Sequence, residues 1–495
     1  MTKSTRPSPK KQKKKRQEKK IKESVSSPFF DQMNPHAAGI DIGSKSHFVA
    51  VRTEAGEVIV KEFDSFTSDL YELSKHLKEH KVTTVAMEST GVYWIPLYDL
   101  LEAEGFEVKL VNARHVKNVT GRKTDIEDCQ WLQKLRSFGL LSGAFRPIEE
   151  IRPLQAYIRQ RALLIESMAV HIQHMQKALF QMNIQLSNVL SDITGLTGMQ
   201  IIRAIVAGQR DPKILSKFRH NRCAKPVEEI EKSLTGHWKD EHLFSLQQAL
   251  ELYDFYQEQI LHCDKKIEEA LQELNGGKTP KEDENGPKND GKAPEKKQKP
   301  RKNALHFDVK AYLRSITGVD LTRIPGIDGN SALKIIGEIG TDMSPWKSAA
   351  HFTSWMGLSP ENKVSGGKRL SSKTKPTANR VAQTLRMAAS TLYRNDSAMG
   401  GFLRRIKSRL GAPQGITATA RKLAVLIYTM LKNGTEYVEA GLDAYERQYE
   451  ERLLKNLKKQ AAKLGLSLVP SLQGQPTAPQ ISFLSDISTP LIPWR

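Results

Sequence analysis

Ala38-Gly39-Ile40-Asp41-Ile42-Gly43 sets a single carboxylate inside an otherwise apolar run. A run of this length, bounded by glycine, reads as a buried strand. A carboxylate buried there without a partner would be costly, so Asp41 needs either company or a cation. A second run, Thr84-Val85-Ala86-Met87-Glu88, ends on another acid. Further on, Lys123-Thr124-Asp125-Ile126-Glu127-Asp128 opens a predicted helix, and Asp125 and Asp128, three apart, share one of its faces. Carboxylates gathered in this way suit Mg2+, which prefers hard oxygen ligands. Two such ions about 4 Å apart promote in-line attack on a phosphodiester.

Outward from these acids, the pattern predicts strands at 37–43, 47–53 and 57–63, a helix at 68–80, and a strand at 83–88. A helix at 92–104, a strand at 106–111 and a helix at 124–137 follow. Gly56 marks a turn and Gly105 a helix stop. Three meandering strands followed by alternating helix and strand is the RNase H-like order, and a domain of that kind is expected over 36–146. Two rivals share parts of the motif. An actin-like ATPase also has Asp-x-Gly on its first strand, as in Asp41-Ile42-Gly43, but needs further Gly-rich phosphate loops that are not found downstream. A proofreading-type exonuclease would place an acid where Gly43 stands.

The chain has 495 residues, a net charge of +21 and a pI of about 9.6, which favours a polyanionic partner. No apolar run approaches the length of a membrane span, and the basic N-terminus lacks the apolar stretch of a secretory signal. Cys129, Cys223 and Cys263 are scattered, which fits a reducing cytoplasm and gives no metal-ligand pair. Charge is concentrated in three places. Residues 1–28 carry +9 in a Lys-rich tail expected to be disordered, and residues 276–304 carry +4 in a Gly/Pro/Lys/Glu-rich stretch. Residues 361–421 carry +11, with only Glu361 and Asp396 as acids. That last imbalance, in a segment expected to fold, reads as a nucleic-acid face.

Between the acidic domain and the basic segment, apolar residues recur at 3-4 spacing from Ile151 to Val189, broken only by Arg161. A second set runs from Leu243 to Leu274 with Gln257 and Asp264 as its polar members. These predict coiled-coil helices over 151–274, packed within one chain or between two. A flexible linker is expected at 275–304, a mostly helical domain at 305–440, and a charged helix to about 464 within a C-terminal segment 441–495.

Two motifs in the second domain are open to two readings each. Ile324-Pro325-Gly326-Ile327-Asp328-Gly329-Asn330 is either a helix-hairpin-helix offering backbone N–H groups to a phosphate or a plain tight turn. Ser365, in Lys363-Val364-Ser365-Gly366-Gly367-Lys368-Arg369, is either a turn residue in a Gly-rich loop or a nucleophile carried on a mobile one. No histidine stands nearby to act as its base, so a metal would have to assist.

Together these motifs resemble those of the DEDD-type transposases of insertion sequences, the bridge-RNA (seeker-RNA) guided recombinases. The resemblance rests on Gly39-Ile40-Asp41-Ile42-Gly43, Glu88-Ser89-Thr90-Gly91 and Lys123 to Asp128, then on Ile324-Pro325-Gly326-Ile327 and Gly357-Leu358-Ser359-Pro360 through Lys368. It covers about 36–440 without the linker. It implies an RNase H-like, RuvC-like domain, a coiled-coil dimerisation segment, and a mostly α transposase domain with a serine nucleophile. Asp41, Glu88, Asp125 and Asp128 would hold Mg2+, and Ser365 would attack DNA, with Ser371 and Ser372 as rivals. Lys363, Lys368, Arg369, Lys373, Lys375, Arg380 and Arg386 would contact nucleic acid. The expected partners are the element-end and target DNA, a structured guide RNA, and further copies of the chain as dimer and tetramer, in a cytoplasmic, nucleoid-associated setting. The alternatives are a junction endonuclease that uses water and a nucleic-acid binding protein with an inactive nuclease domain. Cys129, where a small alanine is common, the tail 1–28 and the linker depart from the pattern.

Overall fold

The chain is described by a computed structural model over residues 32–89, 91–111, 124–141, 143–280, 303–438 and 441–467. The tail 1–28, most of the linker and the end of the C-terminal segment lie outside the described residues. The chain divides into two compact units, Met1–Arg146 and Pro147–Arg495.

The first unit is built on a five-stranded mixed sheet: β1 (Ala37–Ile42), β2 (Ser46–Arg52), β3 (Val58–Asp64), β4 (Thr84–Glu88) and β5 (Glu107–Val111). Its order is β3-β2-β1-β4-β5, antiparallel from β3 to β1 and parallel from β1 to β5. Helix α1 (Thr67–Glu79) follows β3, α2 (Trp94–Ala103) follows β4, and α3 (Asp125–Ser137) closes the domain. This is a mixed α/β arrangement consistent with an RNase H-like domain, and each element lies within about two residues of its sequence-based range.

The two faces of the sheet are chemically different, and the period of two along β1 and β4 explains why. Ala38, Ile40 and Ile42 with Val85 and Met87 pack into a core with Leu70, Leu73 and Leu77 of α1 and Leu97 and Leu101 of α2. The alternate residues, Ala37, Gly39 and Asp41 on β1 and Thr84, Ala86 and Glu88 on β4, take the other face. There Ala86 and Val111 pack with Leu132 of α3. Small residues on that face let α3 come close. A Cβ on Gly39 would sit 2.2 Å from both the Cys129 carbonyl oxygen and the Gln133 nitrogen, so no other residue fits without moving the helix.

The second unit begins with the long helix α4 (Arg152–Gln181), followed by the short α5 (Leu186–Val189), α6 (Leu196–Val206), α7 (Pro212–Ser216) and α8 (Val227–Ser233). A second long helix, α9 (Asp240–Leu274), packs back along α4. The continuous heptad helix expected to Val189 stops at Gln181. Met182 caps it, Asn183 takes a positive φ of 56°, and Ile184 and Leu186 turn inward to the same core. The apolar pattern persisted across this break because burial, not helicity, was what it recorded.

The seam itself is filled within the chain. Met168, Met175 and Leu179 of α4 join Leu246, Leu250, Tyr253 and Ile260 of α9 in one core. The two helices are antiparallel, since Arg161 meets Asp264 while His171 stacks on Tyr256. Arg161 and Asp264, the two charged breaks in the heptads, are thus each other's partners. Arg161 Nε donates to Asp264 Oδ1, and its Nη2 donates to Asp264 Oδ2 at 3.4 Å and to the Asn303 carbonyl at 3.1 Å. His306 Nδ1 lies 2.7 Å from Asp264 Oδ2. In any other register of the two helices each of these buried charges would face an apolar residue, which disfavours that register.

Helices α10 (Val309–Thr317), α11 (Gly329–Ile339), α12 (Ala349–Trp355), α13 (Arg380–Thr391), α14 (Ala398–Leu410), α15 (Ala412–Asn433) and α16 (Gly441–Lys463) complete the unit. Glu338 of α11 ties them to α4, accepting from Arg159 at 2.9 and 2.7 Å and from Gln155 at 3.1 Å. The turn at Gly326 faces inward. Ile324 and Ile327 are buried, and a Cβ on Gly326, whose φ is +85°, would meet the Ala388 carbonyl at 2.8 Å. Asp328 occupies the N-terminus of α11 by accepting from Ser331 N at 2.9 Å. The packed-turn reading of this motif therefore fits better than the phosphate-binding hairpin. Among the described residues no helix is long and apolar enough to cross a membrane.

Candidate active site

Asp41 and Glu88 stand at the carboxyl ends of neighbouring parallel strands, one step past the paired residues Ile40 and Met87. Helix α3 brings the other two acids to that end. Its last turn is anchored at the opposite end of the strands: Gln133 Nε2 donates to the Ala37 carbonyl at 3.2 Å, and Arg136 Nε donates to Thr84 Oγ1 at 2.9 Å. Arg136 Nη2 also reaches Glu107 at 2.6 Å. Cys129 then lies over Gly39, and the first turn, with Asp125 and Asp128, lies toward Asp41. Thr124 caps the helix by accepting from Glu127 N at 3.2 Å. Carboxylates in a first turn also meet the positive end of the helix dipole.

The convergence is visible in the electrostatics of Asp41. Burial, and then the negative charges of Asp125, Asp128 and Glu88, push its carboxyl from 3.8 up to about 6. The other three predicted acids therefore all raise the proton affinity of Asp41. Cys129 is inert as a nucleophile, since burial pushes its thiol up to about 12. Among the described residues no three His, Cys, Asp or Glu side chains are placed to close on one metal ion. The donor chemistry nonetheless fits a hard divalent cation. All four groups are carboxylates, one is destabilised by its like-charged neighbours, and Mg2+ needs only one or two carboxylates because it keeps several of its waters.

Ser365 lies in the second unit, and there the structure corrects the expected mobile loop. Lys363–Ser365 and Lys368–Ser371 form an antiparallel hairpin, β6 and β7, with Ser365 paired to Lys368 across Gly366-Gly367. Both glycines have positive φ, 54° and 75°, as a two-residue hairpin turn of the primed kind requires. The hairpin is anchored by Glu361 N donating to the Lys373 carbonyl at 2.9 Å and by the Pro360–Thr374 bridge. It stands clear of the domain: Val364 is 60% and Leu370 71% exposed. Strand pairing was hidden in the sequence because the strands are only three and four residues long and mostly polar.

The predicted nucleic-acid residues divide by what holds them. Lys363, Lys368, Arg369 and Lys373 are exposed and have no ion pair among the described residues. Lys375 reaches Glu361 at 3.7 Å and Arg380 reaches Glu338 at 3.9 Å, while Arg386 is half-buried. Ser371 accepts from Lys373 N at 3.3 Å, and Ser372 is exposed just beyond β7. Gly39, Gln133 and Arg136, which set the position of the acids, were not singled out from sequence. A glycine two residues before Asp41, on the same face, was the available signal.

Comparison with known families covers both regions. Residues 38–184 match a DEDD-type model of IS110 described as a transposase, and residues 320–403 match the transposase IS116/IS110/IS902 family. No curated protein matches the chain. The first match contains the four acids and the second contains the hairpin serine. With both matches present in this order, the chain is similar to IS110/IS116-type transposases over these two regions, a likeness that supports DNA transposition or recombination in general.

Proposed function

We propose that this chain is a DNA recombinase of the DEDD class, with a RuvC-like first domain, that excises and inserts a mobile element under the direction of a structured RNA. The observation that carries the reading is the convergence of Asp125, Asp128 and Glu88 on Asp41 at one end of the sheet. Asp41, Glu88, Asp125 and Asp128 would hold Mg2+, which when bound would stabilise charge on a scissile phosphate and on the departing oxygen. The carboxylates would place that cation at the carboxyl ends of the neighbouring strands β1 and β4.

In this reading Ser365 is the nucleophile. Its Oγ forms a bond to phosphorus as one deoxyribose oxygen leaves. The serine proton is lost, the leaving oxygen gains one, and the phosphodiester energy is kept in a phosphoserine. Two features support Ser365 over Ser371 and Ser372. It stands at the tip of an exposed hairpin, whereas Ser371, paired with Lys363, is half-buried at the base, and the cations beside that tip, Lys368 and Arg369, have no acidic partners among the described residues. The same cations suit a backbone phosphate. Homodimers and tetramers belong to this proposal, and since the α4–α9 seam is filled within one chain, assembly would use other surfaces.

The test is strand cleavage of element-end DNA with guide RNA and Mg2+. Asp41→Ala and Asp125→Ala should each abolish cutting while leaving nucleic-acid binding largely intact, because cations dominate affinity. Full cleavage by both variants would remove the metal-site reading.

A further inference from the structure

Three helices converge at one corner of the second unit. Arg405 comes from α14, Lys422 from α15, and Tyr445, Tyr449 and Arg452 from α16. The Arg405 guanidinium lies 3.3 Å from the Tyr449 ring centre and 4.8 Å from that of Tyr445, and its Nη1 donates to the Tyr445 hydroxyl at 2.9 Å. Lys422 Nζ lies 4.0 Å from the Phe402 ring centre. Arg452 is exposed and donates to its own helix, at the Gln448 carbonyl, 3.0 Å. Among the described residues none of these three cations has a carboxylate partner.

The cations act on each other. Burial, then Arg452 and Arg405, hold the Lys422 ammonium below its ordinary range, and no acid offsets them. The arrangement along α16 is one-sided. Tyr445, Tyr449 and Arg452 recur at helical spacing on the face toward α14, with Lys459 continuing it, whereas Asp443, Glu446 and Glu450 fall on other faces. Two aromatic rings hold one guanidinium still, and a half-buried ammonium and a second guanidinium stand close by. Helix packing alone would be served better by a neutral residue at Lys422, since desolvating an unpaired ammonium is costly.

We propose that Arg405, Lys422 and Arg452 form a seat for a nucleic-acid backbone phosphate, with Tyr445 and Tyr449 fixing the orientation of Arg405. Guanidinium groups give paired, directional hydrogen bonds to phosphate oxygens, and the ammonium adds a point charge. The ligand is a phosphodiester, from duplex DNA or from RNA. The seat lies apart in sequence from the cations of the serine hairpin and adds a second anchoring point. It rests on the nucleic-acid reading above, but not on cleavage.

The test measures binding of a mixed-sequence duplex DNA and of a single-stranded RNA over a range of salt, with chelator present so that no chemistry intervenes. Lys422→Gln, Arg452→Gln and, as a control on the far face of α16, Arg447→Gln are compared with wild type. Each lost contact should flatten the logarithmic salt slope by about 0.9 for duplex or about 0.7 for a single strand. A change with DNA alone assigns the seat to DNA, and a change with RNA alone assigns it to RNA. Lys422→Gln should melt no lower than wild type, because it removes a desolvated charge, and the exposed Arg452→Gln keeps the test free of folding effects. Unchanged slopes with both nucleic acids, or an equal change in Arg447→Gln, would overturn the proposal. Absence of any binding by wild type would instead remove the nucleic-acid reading itself.

Discussion

Asp41→Asn should make the first unit more stable at neutral pH, although it removes a group from the centre of the candidate active site. The carboxyl is raised from 3.8 to about 6, so the folded state holds its proton more tightly than the unfolded chain does. The sign follows from linkage. Below about pH 3 both states are protonated and Asp41 costs nothing. As pH rises from 4 through 6 the unfolded chain ionises first, and stability falls until both states are charged. A shift of this size corresponds to about 3 kcal/mol for a fully enclosed group. Asp41 is only half-buried, and solvent screening reduces this to about 1–2 kcal/mol. Asparagine keeps the shape and carries no charge, so the difference between variant and wild type should grow from near zero at about pH 3 to that value at about pH 7. Hydrogen exchange of β1 and β4 amides would read it within the first unit alone. Mg2+ should reverse the order by stabilising wild type and not the variant. A variant that is less stable at pH 7, or a difference that does not depend on pH, would refute the like-charge cluster.

Arg161→Met should cost about 3–5 kcal/mol in chemical denaturation, because it leaves Asp264, which is 2% exposed, with only the largely exposed His306 as its partner. The double variant with Asp264→Leu should recover most of that loss; an additive loss would mean that the pair does not act as a unit. Gly39→Ala puts a Cβ against the α3 backbone and should destabilise the first unit by about 1–3 kcal/mol while suppressing Mg2+-dependent cleavage, as followed by melting and by product gels. Unaltered cleavage would show that α3 need not sit so close.

The first domain was the most legible part of the chain. Its strands alternate or run apolar with glycine punctuation, so period and chemistry agree, and four acids at the ends of these elements marked the candidate site. What the sequence did not carry was the order of packing on the second face. Gly39 and Gln133 matter through contacts with elements 90 or more residues away, and Arg136 through Thr84, 52 residues away. Arg161 and Asp264 each looked like a defect in its own heptad. Only their meeting across antiparallel helices, which heptads alone cannot predict, makes them a register pair. Ser365 was singled out through its motif, but the hairpin that carries it was not. Short polar strands leave no hydrophobic period, and two adjacent glycines suit a loose loop as well as a tight turn.

The most direct measurement is a denaturing gel of protein joined covalently to DNA. Wild type and Ser365→Ala are incubated with element-end DNA, guide RNA and Mg2+, and labelled strands are resolved with and without protease. If strands are exchanged through a phosphoserine, wild type gives a protease-sensitive adduct that Ser365→Ala lacks. Cleavage by wild type with no adduct, and equal cleavage by Ser365→Ala, would contradict the serine mechanism and assign the attack to water.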